Sequence, residues 1–395
     1  MNNNLKRIFC FAALVICFSA VFGLGIWVGV AKIAYHVPQP GTIDFSLFWD
    51  AYNKLQQNFI NPDKIDDQKV IYGAIKGMAE TLGDPYTDFF DPEQAKRFQQ
   101  DLSGSFEGIG VEVGLKKGLL TVIAPLDGTP GQKAGLKPGD IILKIKDKDT
   151  SSMTTEEAVS LIRGPKGTSV TLTVIRDTWD KSKDITITRD TIKIESMKWN
   201  LIEPDIAYIK INQFNESVSS DFKKAVIEIS ANPAKKIILD LRDDPGGYLE
   251  VAQDVAGWFL NNGQTVTIED YGKNREQQIY KAEGTGIFTN YPMVVLINEG
   301  SASASEILAG ALRDNRGIKL IGDKSFGKGS VQRVVDLKGG AFLKITVAKW
   351  LTPKGNSISD VGLDPDVKIS ITEQDAELQK DPQMNKALEI IKKLK

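Results

Sequence analysis

The sequence predicts an α/β domain that receives a β-rich insertion and is preceded by a helical region. Three observations lead there. Beyond residue 195, apolar runs at 206–211, 237–241, 293–297 and 342–351 alternate with helical stretches at 217–230, 249–260 and 302–315. Such continuous apolar runs are expected where both faces of a sheet are covered. Residues 103–190 instead carry short strands separated by glycine turns, and residues 44–100 place apolar side chains at helical spacing.

The chain begins with an uncharged stretch at 8–31 that follows Lys6 and Arg7 and stops at Lys32. About 20 such residues span a bilayer as a helix. The expectation is a cytoplasmic N-terminus and single-pass anchor over 1–35, in the cell membrane, with the body on the extracytoplasmic (periplasmic or extracellular) side. A signal peptide cleaved near Gly29-Val30-Ala31 is the alternative.

Residues 36–102 form the helical region, with Phe48, Ala51, Tyr52, Leu55 and Phe59 on one face. Asn61-Pro62 breaks the first run and Gly83-Asp84-Pro85 ends the second. The region reads as an entry module and a candidate dimer arm. In the insertion, strands are expected at 110–113, 119–124, 141–145 and 170–174. A short helix at 155–162 is opened by Thr154 or Thr155, with glutamates in its first turn. A last helix, in the segment 373–395, follows Asp381-Pro382 and puts Met384, Ala387, Leu388 and Ile391 on one face, ready to pack on a domain or a partner.

The stretch Ala134-Gly135-Leu136-Lys137-Pro138-Gly139-Asp140-Ile141-Ile142 resembles a PDZ domain, and the resemblance covers roughly 103–190. It implies a groove that adds an extended peptide as a strand and caps its terminal carboxylate with loop N–H groups. Phe106, Gly108, Ile109 and Gly110, within Ser105-Phe106-Glu107-Gly108-Ile109-Gly110, are the residues assigned to that loop. A β-rich spacer without a ligand is the other reading.

Composition removes much of the usual chemistry. The 49 basic and 51 acidic residues leave a net charge of −2 and are spread along the chain, so no nucleic-acid partner is expected. The one histidine, His36, and the two cysteines, Cys10 and Cys17, lie in or beside the N-terminal apolar stretch. The body beyond about residue 40 therefore has no imidazole and no thiol. A Ser-His-Asp triad, a Cys-His pair and histidine or cysteine zinc sites are excluded there; a carboxylate-only Mg²⁺ or Ca²⁺ site stays open, but the sequence shows no EF-hand-like ligand run, and no cofactor or metal is expected.

Two segments remain that carry chemistry. Asn298-Glu299-Gly300-Ser301-Ala302-Ser303-Ala304-Ser305-Glu306 joins a buried strand to a helix. A serine on such a turn is presented at a sheet end, beside N–H groups and a helix dipole that favour an oxyanion. A Ser-Ala repeat at a helix start also serves as a cap, and spacing does not choose among Ser301, Ser303 and Ser305. The second segment, Gly322-Asp323-Lys324-Ser325-Phe326-Gly327-Lys328-Gly329, nearly fits a phosphate-binding loop, but Gly329 stands where Ser or Thr must reach Mg²⁺. A lysine between glycines can instead enter a dry cleft, where desolvation lowers its pKa and leaves an amine able to accept a proton.

With imidazole unavailable, a serine paired with such a lysine is the remaining route to an activated hydroxyl. Here the chain resembles the carboxy-terminal processing peptidases, tail-specific serine proteases that pair a PDZ domain with a Ser-Lys active site. Five motifs match in order over about 45–370: Gly83-Asp84-Pro85-Tyr86-Thr87, the PDZ stretch, Leu239-Asp240-Leu241-Arg242-Asp243-Asp244-Pro245-Gly246-Gly247, the Ser-Ala repeat, and Gly327-Lys328-Gly329-Ser330-Val331-Gln332.

The resemblance implies a peptidase domain of the ClpP/crotonase-like type over 191–372. It makes Ser303 the nucleophile, Lys328 the general base and Gln332 the group that orients the amine, one turn beyond if that segment is helical. Oxyanion donors are implied on the backbone at Ala304, Gly246 and Gly247. Asp244 departs from the family, which more often has asparagine there, and a negative charge at that turn would oppose an oxyanion. Arg163 is a candidate for coupling the PDZ domain to the catalytic domain, with an ordinary surface arginine as the competing view.

The expected partners are protein or peptide substrates with apolar C-terminal tails, the membrane, and further copies of the chain in a homodimer or larger homo-oligomer. A noncatalytic PDZ scaffold is the competing function. Ser303, Lys328 and Gln332 together favour the enzyme, because a pure binder needs none of them.

Overall fold

The computed structural model describes residues 43–394 apart from 117, 127, 194, 274, 360, 373, 376 and 377. The expected anchor at 8–31 lies outside the described residues, among which no helix is long and apolar enough to cross a membrane. The described chain divides between Ile71 and Tyr72 into two compact units. In the first, helix α1 (Ser46–Asn58) stacks Phe45, Phe48, Trp49 and Tyr52 edge to face along its length. A 3-10 turn at Pro62–Lys64 follows the predicted break. Helix α2 (Asp67–Glu80) runs across the division.

The second unit opens with β1 (Asp88–Phe90) and α3 (Pro92–Ser103). The α3 N-terminus is held by Asp91, whose carboxylate accepts from Gln94 N at 2.9 Å, and the helix stops at left-handed Gly104. The insertion then leaves through β2 (Ser105–Gly108) and returns through β9 (Asp190–Lys193), which pair antiparallel from Ser105↔Lys193 to Gly108↔Asp190 and close its base.

Between them lie β3 (Val111–Lys116), β4 (Leu119–Pro125), α4 (Pro130–Lys133), β5 (Ile141–Ile145), β6 (Lys148–Asp149), α5 (Thr155–Ile162), β7 (Ser169–Ile175) and β8 (Lys183–Thr188). The sheet order is β3-β4-β5-β7-β8, with β6 on β5. Of the two caps the sequence offers for α5, the structure uses Thr154. Its Oγ1 accepts from Glu157 N, and its N–H donates to the Glu157 carboxylate.

The α/β domain is built on β10 (Met197–Glu203), β11 (Ile206–Ile211), β12 (Lys236–Asp240), β15 (Met293–Ile297), β16 (Lys319–Gly322) and β19 (Val367–Lys368). All neighbours run parallel except β10 and β11. Helices α6 (Glu216–Ala231), α7 (Leu249–Phe259) and α8 (Ala304–Arg316) supply the crossovers.

Strand periodicity divides the sheet's side chains between two cores. Ile209, Leu239 and Val295 face α6, α7 and α8, whereas Ile238, Val294 and Leu296 face Ala387 and Ile391 of the last helix, α9 (Pro382–Lys393). All five residues of β15 are buried, which is why that run shows no alternation in sequence. A second sheet of β1, β18 (Phe342–Leu351), β13 (Thr265–Asp270) and β14 (Gln278–Lys281), with β17 (Ser330–Asp336) on β18, stands beside the first. Phe90 and Phe98 pack on Phe342 at 4.6 and 5.4 Å between ring centres, tying β1 and α3 to it.

Candidate active site

The serine repeat turns sharply between β15 and α8. Ser303 carries φ 55° and ψ −113°, a left-handed value for a residue with a Cβ, costing about 1–3 kcal/mol that the surrounding bonds must hold. The three serines take different roles. Ser301 is buried, donating to Leu241 O at 2.7 Å and accepting from Asn298 N. Ser305 is buried and donates to Asp244 O at 2.9 Å. Ser303 lines a cavity of about 600 Å³.

Lys328 lines the same cavity, together with Ala304, Gly246, Gly247 and Gln332. Its amine lies 5.9 Å from the centre of the Tyr86 ring, so the Gly83–Thr87 motif reaches the site. Thr87 fixes that motif by donating to Asp84 at 2.6 Å and accepting from Thr346 N of β18. Burial pushes the Lys328 pKa below the ordinary lysine value. The nearby Lys344 charge pushes the same way, and Glu306 pulls against both. Among the described residues, no hydrogen bond joins the Ser303 hydroxyl to the Lys328 amine.

Glu306 is a site residue that sequence reasoning missed. Its Oε1 accepts from Ser325 Oγ at 2.6 Å and Gly327 N at 2.8 Å; its Oε2 accepts from Ser303 N and Lys328 N, both at 3.0 Å. One buried carboxylate thus ties the Ser303 turn to the Lys328 loop. Burial raises its pKa, and the four donors oppose that rise. Its place three residues after Ser303, where a capping acid sits, was the available signal.

Two expectations change. Residues 330–336 form a strand, not a helix, so Gln332 is not one turn above Lys328. A bulge between Val331 and Gln332 aims its side chain, which donates to Ser330 Oγ at 2.7 Å. Gly246 does not offer an oxyanion donor, because its N–H goes to Asp244 Oδ1 at 2.8 Å. Its role is steric: with φ 96°, a Cβ there would lie 2.6 Å from Ala302 O and 2.8 Å from Ser303 Cβ. The N–H groups of Gly247 and Ala304 have no acceptor among the described residues. Burial pushes Asp244 up to about 8, which weakens the anticipated conflict between its charge and an oxyanion at neutral pH.

In the insertion, Ile109 is buried in the core, and the Ile109 and Gly110 carbonyls accept from Gly131 N and Leu126 N. The Phe106 ring lies 4.4 Å under the Arg163 guanidinium and packs on Gly108. Arg163 also pairs with Asp101 of α3 at 2.9 Å, and the Asp101 carbonyl accepts from Gln213. Asp101 and Gln213 both line the same cavity as Ser303 and Lys328.

Residues 205–369 match the family described as Peptidase family S41, and residues 121–176 match a PDZ domain. The carboxy-terminal processing protease CtpA of Bacillus subtilis is 40% identical over 331 residues, covering 84% of this chain and 70% of that protein. The chain belongs to peptidase family S41. It is a carboxy-terminal processing serine protease with a PDZ domain.

CtpB of the same organism is 34% identical over 373 residues, covering 90% and 77% of the two chains. Residues 38–94 match the N-terminal domain of activating protease CtpB. Among solved structures, the photosystem II D1 C-terminal processing protease is 26% identical with a TM-score of 0.52, over 84% of this chain and 95% of that one. An S41 protease from Bacteroides fragilis, 15% identical with a TM-score of 0.54 over 86% and 96%, shares the fold.

Proposed function

We propose that this protease works through Ser303 as nucleophile and neutral Lys328 as general base, and cuts protein substrates near C-termini recognised by its PDZ domain. The observation that carries this reading is the division of labour in the serine repeat. The hydroxyls of Ser301 and Ser305 are used in the fold, while Ser303 opens on the cavity that holds a half-buried lysine of lowered pKa.

In the first step the Lys328 amine takes the Ser303 proton as Oγ bonds to the scissile carbonyl carbon. The oxyanion receives the Gly247 and Ala304 N–H groups. Collapse breaks the C–N bond, and the Lys328 ammonium returns its proton to the leaving amine. Water, deprotonated by the same amine, then attacks the acyl-enzyme and frees Ser303. The apolar wall of Leu249, Ile307, Tyr280 and Trp350 suits an apolar side chain beside the scissile bond.

Anchoring by residues 8–31, with catalysis on the extracytoplasmic side, completes the proposal, as does assembly into a homodimer or larger homo-oligomer. The Arg163–Asp101 pair is the proposed link between PDZ position and the cavity wall. The decisive comparison is cleavage of an unstructured tailed protein by wild type, Ser303→Ala and Lys328→Arg. Both variants should be inert, since guanidinium stays protonated. Wild type cutting no faster than Ser303→Ala would end the nucleophile assignment. Membrane retention after alkaline extraction tests the anchor, and sedimentation of the full chain in detergent tests the assembly.

A further inference from the structure

Asp244 lies at the junction of the two turns that shape the site. Its side chain is fully buried. Oδ1 accepts the Gly246 N–H, whereas Oδ2 is buried with no hydrogen-bond partner. Its own carbonyl accepts from Ala302 N at 3.0 Å and Ser305 Oγ at 2.9 Å, the residues flanking Ser303 and Ala304. One residue therefore holds the turn bearing the Gly247 N–H against the turn bearing the Ala304 N–H.

The charged groups around it are already engaged. On its own loop, Asp243 accepts from Asn298, and Arg242 is committed to Asp240 and Asp381. From β11, Lys210 reaches Arg242 O at 3.0 Å and Asp240 at 3.9 Å. From α8, Glu306 is taken by four donors, and Lys328 of the base loop turns its amine over Tyr86. No cation binds the Asp244 carboxyl among the described residues. An unpaired charge in such a place costs far more than a neutral polar group.

We infer that Asp244 is a positioning residue that acts as a neutral carboxylic acid, setting the oxyanion turn through Gly246, and that its ionisation disables the site. Burial, opposed by the Gly246 N–H, the Ser305 hydroxyl and the Lys210 charge, pushes its pKa up to about 8. The rate then has two limbs: it rises with pH as Lys328 loses its proton and falls with pH as Asp244 loses its own. Above the second midpoint the fall approaches about tenfold per pH unit. This inference rests on the Ser303–Lys328 reading for its rate limb, but not for its protonation state.

The test therefore has two arms on the full chain. In the first, kcat/KM is followed against pH for wild type and Asp244→Asn, whose carboxamide has the same shape and cannot ionise. The falling limb is expected in wild type and absent in the variant, while Asp244→Ala, which loses the Gly246 bond, lowers kcat with KM held. A falling limb kept by Asp244→Asn overturns the proposal.

In the second arm, infrared difference spectra of wild type minus Asp244→Asn, with Asp244→Ala as a second reference, are recorded in the Ser303→Ala background. The carbonyl band of a protonated carboxylic acid should be present near neutral pH and vanish above about pH 8. A band absent at neutral pH overturns the proposal whatever the activity assay reports. A titrating band without peptidase activity would instead indict the nucleophile and base assignment.

Discussion

Replacing Glu306 by glutamine keeps the size of the side chain and removes one of two acceptor oxygens. In the protein, each oxygen serves two donors: Ser325 Oγ and Gly327 N on Oε1, Ser303 N and Lys328 N on Oε2. Whichever way the new amide turns, its NH₂ faces two donors. A buried donor without a partner costs about 1–3 kcal/mol, so the variant should lose about 2–6 kcal/mol, less whatever the loops recover by moving. Movement carries its own cost, because Ser303 and Lys328 sit on those loops, and a shift of about 1 Å at a reacting pair costs about 100-fold in rate. Glu306→Gln should therefore melt lower and show a kcat/KM on a tailed protein substrate at least about 100-fold below wild type. Calorimetry and a gel-based cleavage assay read the two effects. Wild-type melting with wild-type cutting would refute the idea that this carboxylate holds the Ser303 and Lys328 loops together.

Other outcomes follow from the same geometry. Lys344→Met removes a like charge that helps hold the Lys328 amine below its usual pKa, so that pKa rises and the ascending limb of the pH–rate profile moves to higher pH; an unmoved limb would show that Lys344 does not act on the base. Because the charged Lys328 is the form that burial opposes, its contribution to stability should rise with pH between the lowered value and the ordinary one near about 10.4, and Lys328→Met should flatten that part of a melting-versus-pH curve. Gly246→Ala puts a Cβ against Ala302 O and Ser303 Cβ at φ 96° and should abolish labelling of Ser303 by a serine-directed phosphonate. Arg163→Ala breaks a part-exposed ion pair and a ring contact, together worth about 1–2 kcal/mol, so it should barely change melting. It should, however, bring the cutting rates of tailed and tail-less substrates together, and an unchanged ratio would make it an ordinary surface arginine.

Much of this fold was legible because its signals are local. The run 206–211 is β11 to the residue, with Tyr208 and Lys210 only part-buried, and 293–297 is β15, whose five buried positions need apolar side chains throughout. The start of the helix at 155–162, the break at Asn61-Pro62 and the closing helix after Asp381-Pro382 are readable for the same reason, since caps and breakers act within a few residues, although the structure chose Thr154 over Thr155 as the cap. The absence of imidazole and thiol beyond residue 40 likewise needs no fold to be decisive.

Tertiary structure decided everything that depends on partners distant in the chain. Equal spacing made Ser301, Ser303 and Ser305 equivalent on paper. They differ because Leu241 and Asp244, some 60 residues earlier, claim the hydroxyls of the outer two. The segment after Lys328 is a strand because β18 pairs with it, which overrides the helical spacing imagined for Gln332. The raised pKa of Asp244 could not be read from its residue type, since it follows from burial without a cation, a property of the packed site. Composition named the chemistry that remained available; long-range contacts engage the Ser301 and Ser305 hydroxyls and put Ser303 on the cavity.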